Sequence, residues 1–144
     1  MATAGWRTTR IHYPVGKLDA GWPDPPDVVQ PDIDRVGGIT EAMRVVQMAL
    51  DRGKIVVPHC RKTGISVAAT AHVAAAAPNC RFMEIQPSPV AHSRLRRGLV
   101  EDELKVVNGK IHLPLRPGLG IELRPATMAE FAAAAEKRTG LRQE

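Results

Sequence analysis

From Val28 onward the apolar positions fall into two alternating rhythms. Val28-Val29-Gln30 is a short β-prone run closed by Pro31-Asp32. Gly37-Gly38 then allows a tight turn, and Thr40 is placed to cap a helix. Ala42, Val45, Val46, Ala49 and Leu50 follow at the spacing of one apolar helical stripe. That helix is expected to stop by Gly53, with Arg52 in its last turn. Lys54 to Pro58 carries a continuous apolar run, the pattern of a strand covered on both faces of a parallel sheet. An Ala-rich helix is predicted from Ile65 to Ala77, ended by Pro78-Asn79, and Arg81 to Ile85 reads as a third strand. Strand, helix, strand, helix, strand is the βα repeat of a parallel sheet or barrel.

The flanks read differently. Residues 1–27 hold Trp6, Trp22, Pro14, Pro23, Pro25 and Pro26 with no sustained period, and are expected to be irregular. Residues 86–104 are mixed, with Pro87, Pro89 and a basic cluster. Lys105 to Leu113 predicts a hairpin, because Asn108-Gly109 supplies the positive φ angles of a two-residue turn. Pro117-Gly118-Leu119-Gly120 reads as a turn, since no Lys-Ser/Thr follows to make it a phosphate loop. Thr127 is expected to cap a last helix from Met128 to about Arg138. The division is therefore 1–27 irregular, 28–123 an ordered α/β unit, and 124–144 a helix and tail.

Composition narrows the classes. Hydrophobic residues make up 44% of the 144, but aromatics only 3%, so much of the core is alanine. The formal charge is +5, yet Lys and Arg are scattered and the densest cluster, Arg94, Arg96 and Arg97, has no aromatic platform beside it. A solvated basic surface is expected there, and nucleic acid is not. The lesser alternative is a small basic binding module, which salt-sensitive nucleic-acid binding would reveal. Cys60 and Cys80 have no paired spacing and are expected to be free thiols in a reducing cytoplasm. No apolar run is long enough to span a membrane, and the N-terminus lacks a signal-peptide core.

In a parallel βα structure, chemistry gathers at the C-terminal ends of the strands. Those ends present Asp32, His59 and Glu84, 27 and 25 residues apart, about one βα unit each. A carboxylate beside a histidine fixes its tautomer and raises its basicity. Such a histidine moves protons at neutral pH, and a second carboxyl group across a pocket can hold a substrate oxygen as charge develops. A strand-end Asp is also a common turn cap, so spacing alone leaves the triad and a structural role evenly matched. His59, Cys60, His72 and Cys80 match no zinc spacing.

Five segments carry a family resemblance: Val28-Val29-Gln30-Pro31-Asp32 with Val36 to Ala42, Val57-Pro58-His59-Cys60, Ala76-Ala77-Pro78-Asn79 with Phe82-Met83-Glu84, Asn108 to Ile111, and Pro117 to Ile121. Together they resemble the C-terminal barrel part of the mandelate racemase and muconate lactonizing enzyme family of the enolase superfamily. The resemblance implies a partial TIM-like (β/α) barrel: its last three βα strands plus the closing hairpin and helix. Asp32 and His59 match the family's Asp–His dyad, with His59 the acid/base catalyst, and Glu84 matches the eighth-strand glutamate that holds the substrate carboxylate and its enediolate. The dyad is similar to the branch of sugar-acid dehydratases of the galactonate type. The implied chemistry is proton abstraction α to a carboxylate, with Mg²⁺ stabilising the enediolate, in a lyase or an isomerase.

The family's capping domain and five earlier barrel strands have no counterpart here. Three of those strands supply the carboxylates for Mg²⁺, and there is no glutamate between Met1 and Thr40. The Mg²⁺ ligands are therefore not expected in this chain. Three strands cannot close an eight-stranded barrel, and the first would leave an open apolar edge. The chain is expected to be a truncated or split product, inactive alone or a dead remnant, or else completed by another chain; an open barrel edge would also encourage self-association into a homo-oligomer. The expected substrate is a sugar acid or hydroxy acid.

Overall fold

A computed structural model describes residues 8–11, 26–85 and 94–139. Pro87, Pro89, the tryptophans, Pro14, Pro23 and Pro25, and the polar tail beyond residue 139 lie outside the described residues. Among the described residues, seven strands and five helices follow in the order β1 (Thr8–Ile11), β2 (Val28–Pro31), α1 (Ile33–Val36), α2 (Ile39–Leu50), β3 (Ile55–Val56), β4 (His59–Cys60), α3 (Gly64–Ala76), β5 (Glu84–Ile85), α4 (Arg94–Gly98), β6 (Val106–Val107), β7 (Lys110–Ile111) and α5 (Pro125–Thr139). This is an α/β unit with parallel strands.

β1, β2 and β3 pair side by side, all parallel. β4 pairs parallel with β5, and single parallel bridges join Asp32 to His59 and Val56 to Cys80. β3 and β4 are thus two pieces of one strand line, interrupted at Val57-Pro58. Proline has no N–H to give to a ladder. Its carbonyl still accepts from Glu84 N at 3.0 Å and so carries the sheet across the break. The predicted strand from Lys54 to Pro58 is therefore shorter than its apolar run, with Ile55 half-exposed rather than buried. The third predicted strand shrinks to Glu84–Ile85 and the lone bridge at Cys80.

β1 corrects the reading of residues 1–27 as wholly irregular. Thr8 to Ile11 pairs with Val28 to Pro31 and covers the edge of β2 that was expected to stand open. Four residues with no alternation carry no pattern of their own. Backbone pairing with β2 places them, helped by the β preference of threonine and isoleucine.

α2 presents Ala42, Val45, Val46 and Ala49 inward as its stripe predicts, but Leu50, at the helix end, is 38% exposed. Gly38, not Thr40, is its N-cap, and Thr40 lies exposed in the first turn. The cap contributes no side-chain bond; Ala42 N reaches Gly38 O at 3.0 Å. α3 starts one residue earlier than predicted because Thr63 caps it, accepting from Ser66 N. α2 and α3 pack on the strands around Val29, Val36, Val45, Val46, Val56 and Val73. The core is aliphatic and built largely from valine and alanine, as the composition implied. Asn79 ties its far side, donating from Nδ2 to Lys54 O at 3.0 Å.

The hairpin forms as expected, Asn108 at φ 50° and Gly109 at φ 74° turning β6 back on β7. α5 begins at Pro125, three residues before the predicted Met128, since proline's fixed φ and missing N–H suit a first helical turn. Thr127 is therefore inside the helix and not its cap.

Candidate active site

Asp32 directly follows β2, His59 begins β4, and Glu84 begins β5. The register pairs Asp32 with His59 and His59 with Glu84 on adjacent parallel strands. The three residues singled out by spacing are therefore neighbours along one line across the sheet. Asp32 and His59 are each 4% exposed, and Glu84 is half-buried.

Their side chains divide the work differently from the expected Asp–His dyad. Glu84 Oε2 lies 2.9 Å from His59 Nδ1, an ion-pair distance at an angle that does not make a hydrogen bond. Gln30 Nε2 donates to the same oxygen at 3.0 Å. The Asp32 carboxylate turns the other way. Its Oδ1 accepts from Asp34 N at 3.1 Å, which caps α1, and its Oδ2 sits 3.3 Å from Arg35 Nε. Lys62 Nζ lies 3.8 Å from Asp32 Oδ1 and 3.4 Å from Asp34 Oδ2. Ser66 Oγ donates to Asp34 Oδ2 at 2.7 Å. Of the two readings weighed for Asp32, the turn cap is the one that these contacts form.

A carboxylate at Nδ1 favours the tautomer with its proton there and leaves Nε2 as the basic nitrogen. Nearly complete burial keeps water away from that ring. A histidine beside a carboxylate can move a proton.

Hard divalent cations take several oxygen ligands. Among the described residues no group of three or more His, Cys, Asp and Glu gathers as a metal site. Asp32 already faces Arg35 and Lys62, and Glu84 faces His59 and Gln30. Among the described residues these side chains do not fit a Mg²⁺ ion.

With this geometry in view, likeness to known proteins becomes informative. A family model described as enolase C-terminal domain-like matches residues 25–127. The chain belongs to that family. It is 34% identical over 110 residues to the D-galactarolactone cycloisomerase of Agrobacterium fabrum, covering 73% of this chain and 29% of that one. It is 34% identical over 105 residues to the arabinonate dehydratase of Saccharolobus solfataricus, covering 73% of this chain and 27% of the relative. The crystal structure of a mandelate racemase/muconate lactonizing enzyme from Jannaschia sp. CCS1 superposes with a TM-score of 0.72 at 25% identity, over 85% of this chain and 31% of that one. This enolase C-terminal domain-like chain spans less than a third of the length of these relatives.

Gln30 and Lys62 contact Glu84 and Asp32, and neither was singled out as a candidate by the sequence. Gln30 sits in an apolar-looking strand run, and only its alternation onto the Glu84 face gives it away. Arg96 corrects the expectation of a solvated basic cluster. It is 4% exposed and pairs with Glu103 at 3.3 Å, while Arg94 reaches Glu130 at 2.6 Å. Cluster density in sequence says nothing about which arginine α4 turns inward.

Cys60, next to His59, is buried, and burial is the main force pushing its thiol from 9.0 up to about 11. Its free state matches the sequence reading, and it is no nucleophile at neutral pH. A raised folded-state value means stability that is fully present below pH 9 and lost as pH rises through about 11. Chemical denaturation should therefore show the wild type losing stability between pH 9 and 11 more steeply than Cys60→Ala. Parallel losses in the two proteins would show that Cys60 is not buried as a thiol.

No helix among the described residues is long and apolar enough to cross a membrane.

Proposed function

We propose that this chain is the acid/base segment of a sugar-acid dehydratase or racemase, the last part of an eight-stranded (β/α) barrel. It contributes the proton-transfer group for abstraction α to a carboxylate. One observation carries the reading: Asp32, His59 and Glu84 stand side by side at the strand ends, with His59 Nδ1 2.9 Å from Glu84.

His59 acts as the base through Nε2 and holds the abstracted proton. Glu84 keeps the ring in that tautomer and stabilises the imidazolium once it forms. Gln30 holds Glu84 in place. Lys62 offers a cation to the substrate carboxylate or to the developing enediolate, and Asp32 orients Lys62 and Arg35. In a dehydratase, the proton on His59 returns to the departing β-hydroxyl. In a racemase, a second base on the opposite face completes the exchange. The family likeness supports the substrate class, because the two named relatives act on a sugar-acid lactone and a sugar acid. The metal-binding carboxylates come from outside this chain, so the chain alone is inactive.

The test is exchange of the α-proton of arabinonate in D₂O, followed by NMR. It is run on the 144-residue chain and on the arabinonate dehydratase with residues 25–127 of this chain grafted in place of its own matching segment. Exchange by the graft and none by the chain alone is the expected result. A folded graft that binds substrate without exchanging the proton would overturn the assignment.

A further inference from the structure

We infer that Val100 is a positioning residue: it seats the first residue of α3 and so fixes the turn that carries Lys62, an effect on substrate binding that rests on the role proposed for Lys62 above. Arg61 to Thr63 join the end of β4 to the start of α3. Toward β2 this turn is tied to α1. Lys62 Nζ lies 3.4 Å from Asp34 Oδ2, and Ser66 Oγ donates to the same oxygen at 2.7 Å. Thr63 Oγ1 accepts from Ser66 N at 3.3 Å and starts the helix.

A second support comes from a distant part of the chain. Gly64 is buried, and a Cβ built on it would lie 2.4 Å from Val100 Cγ2 and 3.2 Å from Val100 Cγ1. Gly64 is helical and is not among the glycines at positive φ. Its backbone therefore has no need of glycine, which a helix disfavours. What the missing side chain provides is room for Val100.

Val100 is itself held. It is 1% exposed and bridges antiparallel to Leu123. Glu101 N donates to Glu122 O at 2.9 Å, and Arg124 N donates to Leu99 O at 3.0 Å. Arg124 Nε donates to Glu101 Oε2 at 2.9 Å, and in α4 the buried Arg96 meets Glu103 at 3.3 Å. A β-branched side chain has little rotameric freedom, so this short ladder presents a stiff seat to α3. The turn is thus fixed at two points, Asp34 on one side and Val100 on the other. Shifting the seat moves Lys62 relative to Asp32 and the strand ends, and a binding charge works only when its support holds it in place.

The test uses two single substitutions and their combination. In Gly64→Ala the new methyl collides with Val100 Cγ2, and in Val100→Ala the seat is empty. In the double variant the two Cβ atoms stand 3.4 Å apart, an ordinary contact. In the grafted arabinonate dehydratase each single variant should raise KM for arabinonate about 10-fold with kcat little changed, and the double variant should recover most of that loss. Limited trypsin digestion of the 144-residue chain reads the turn without any chemistry. Cleavage after Arg61 and Lys62 should speed up in each single variant and slow again in the double, while cleavage after Arg52 at the end of α2 stays constant. Single variants as resistant as the wild type, or a double variant cut faster than both, would overturn the inference at the seat. Rescued cleavage with KM unmoved throughout would overturn it at Lys62, and the substrate-binding role proposed for that residue would fall with it. If Gly64→Ala does not fold, Val100→Ala against the double variant decides by the same two readings.

Discussion

His59→Ala in the grafted enzyme is expected to slow α-proton exchange by about 10²- to 10⁴-fold, the usual contribution of a positioned acid/base group. The reasoning is geometric. His59 is almost wholly buried, its Nδ1 is 2.9 Å from Glu84, and its neighbours across the sheet are the two other candidate residues. Glu84→Gln should fall in kcat with His59 still present, because the amide can present an N–H to Nδ1 and so favour the wrong tautomer. Asp32→Asn should act mainly on KM, since Asp32 meets Arg35 and Lys62 rather than the ring. Steady-state kinetics of the three variants separates these roles. If Asp32→Asn cost more in kcat than Glu84→Gln, the ring's working partner would be Asp32, and the division of labour argued here would be wrong.

The site was legible because strand ends advertise themselves. Asp32 follows a proline after a β run, His59 does the same, and Glu84 stands near the end of a third run one βα unit later. Periodicity located each of these, and the register then set them side by side. What periodicity could not give was direction. Whether Asp32 or Glu84 meets the imidazole depends on α1, a four-residue helix capped by Asp32 itself. That helix is too short to leave a stripe in the sequence. β1 was hidden for a related reason: its place is decided by pairing with the backbone of β2, and backbone pairing writes no side-chain signature. Arg96 was misread because three arginines in a row of four positions look solvated until α4 chooses which one faces Glu103.

Gly120→Ala is expected to destabilise the fold by about 2 to 5 kcal/mol, far more than its distance from the strand-end residues in sequence suggests. Two costs add. Gly120 sits at φ +69°, where an L residue loses about 1 to 2 kcal/mol to its own carbonyl. A Cβ there would lie 2.1 Å from Pro114 Cγ and 2.8 Å from its Cβ. A proline ring cannot rotate away, so the loop must move, at a typical overpacking cost of about 1 to 3 kcal/mol. The loop cannot move freely either, because Leu119 packs against the valine core and its carbonyl lies 3.3 Å from His72 Nε2 on α3. Gly118→Ala separates the two costs. Gly118 has nearly the same φ, +67°, but nothing within 4 Å of its Cβ position. It should therefore show the backbone cost alone, a shift of about 1 to 2 kcal/mol in urea unfolding. The difference between the two variants is the strength with which the Pro114–Gly120 contact clamps the closing loop onto α3. Equal shifts would mean that the clamp does not exist and that α3, which carries Ser66 to the Asp34 carboxylate, is held by the core alone.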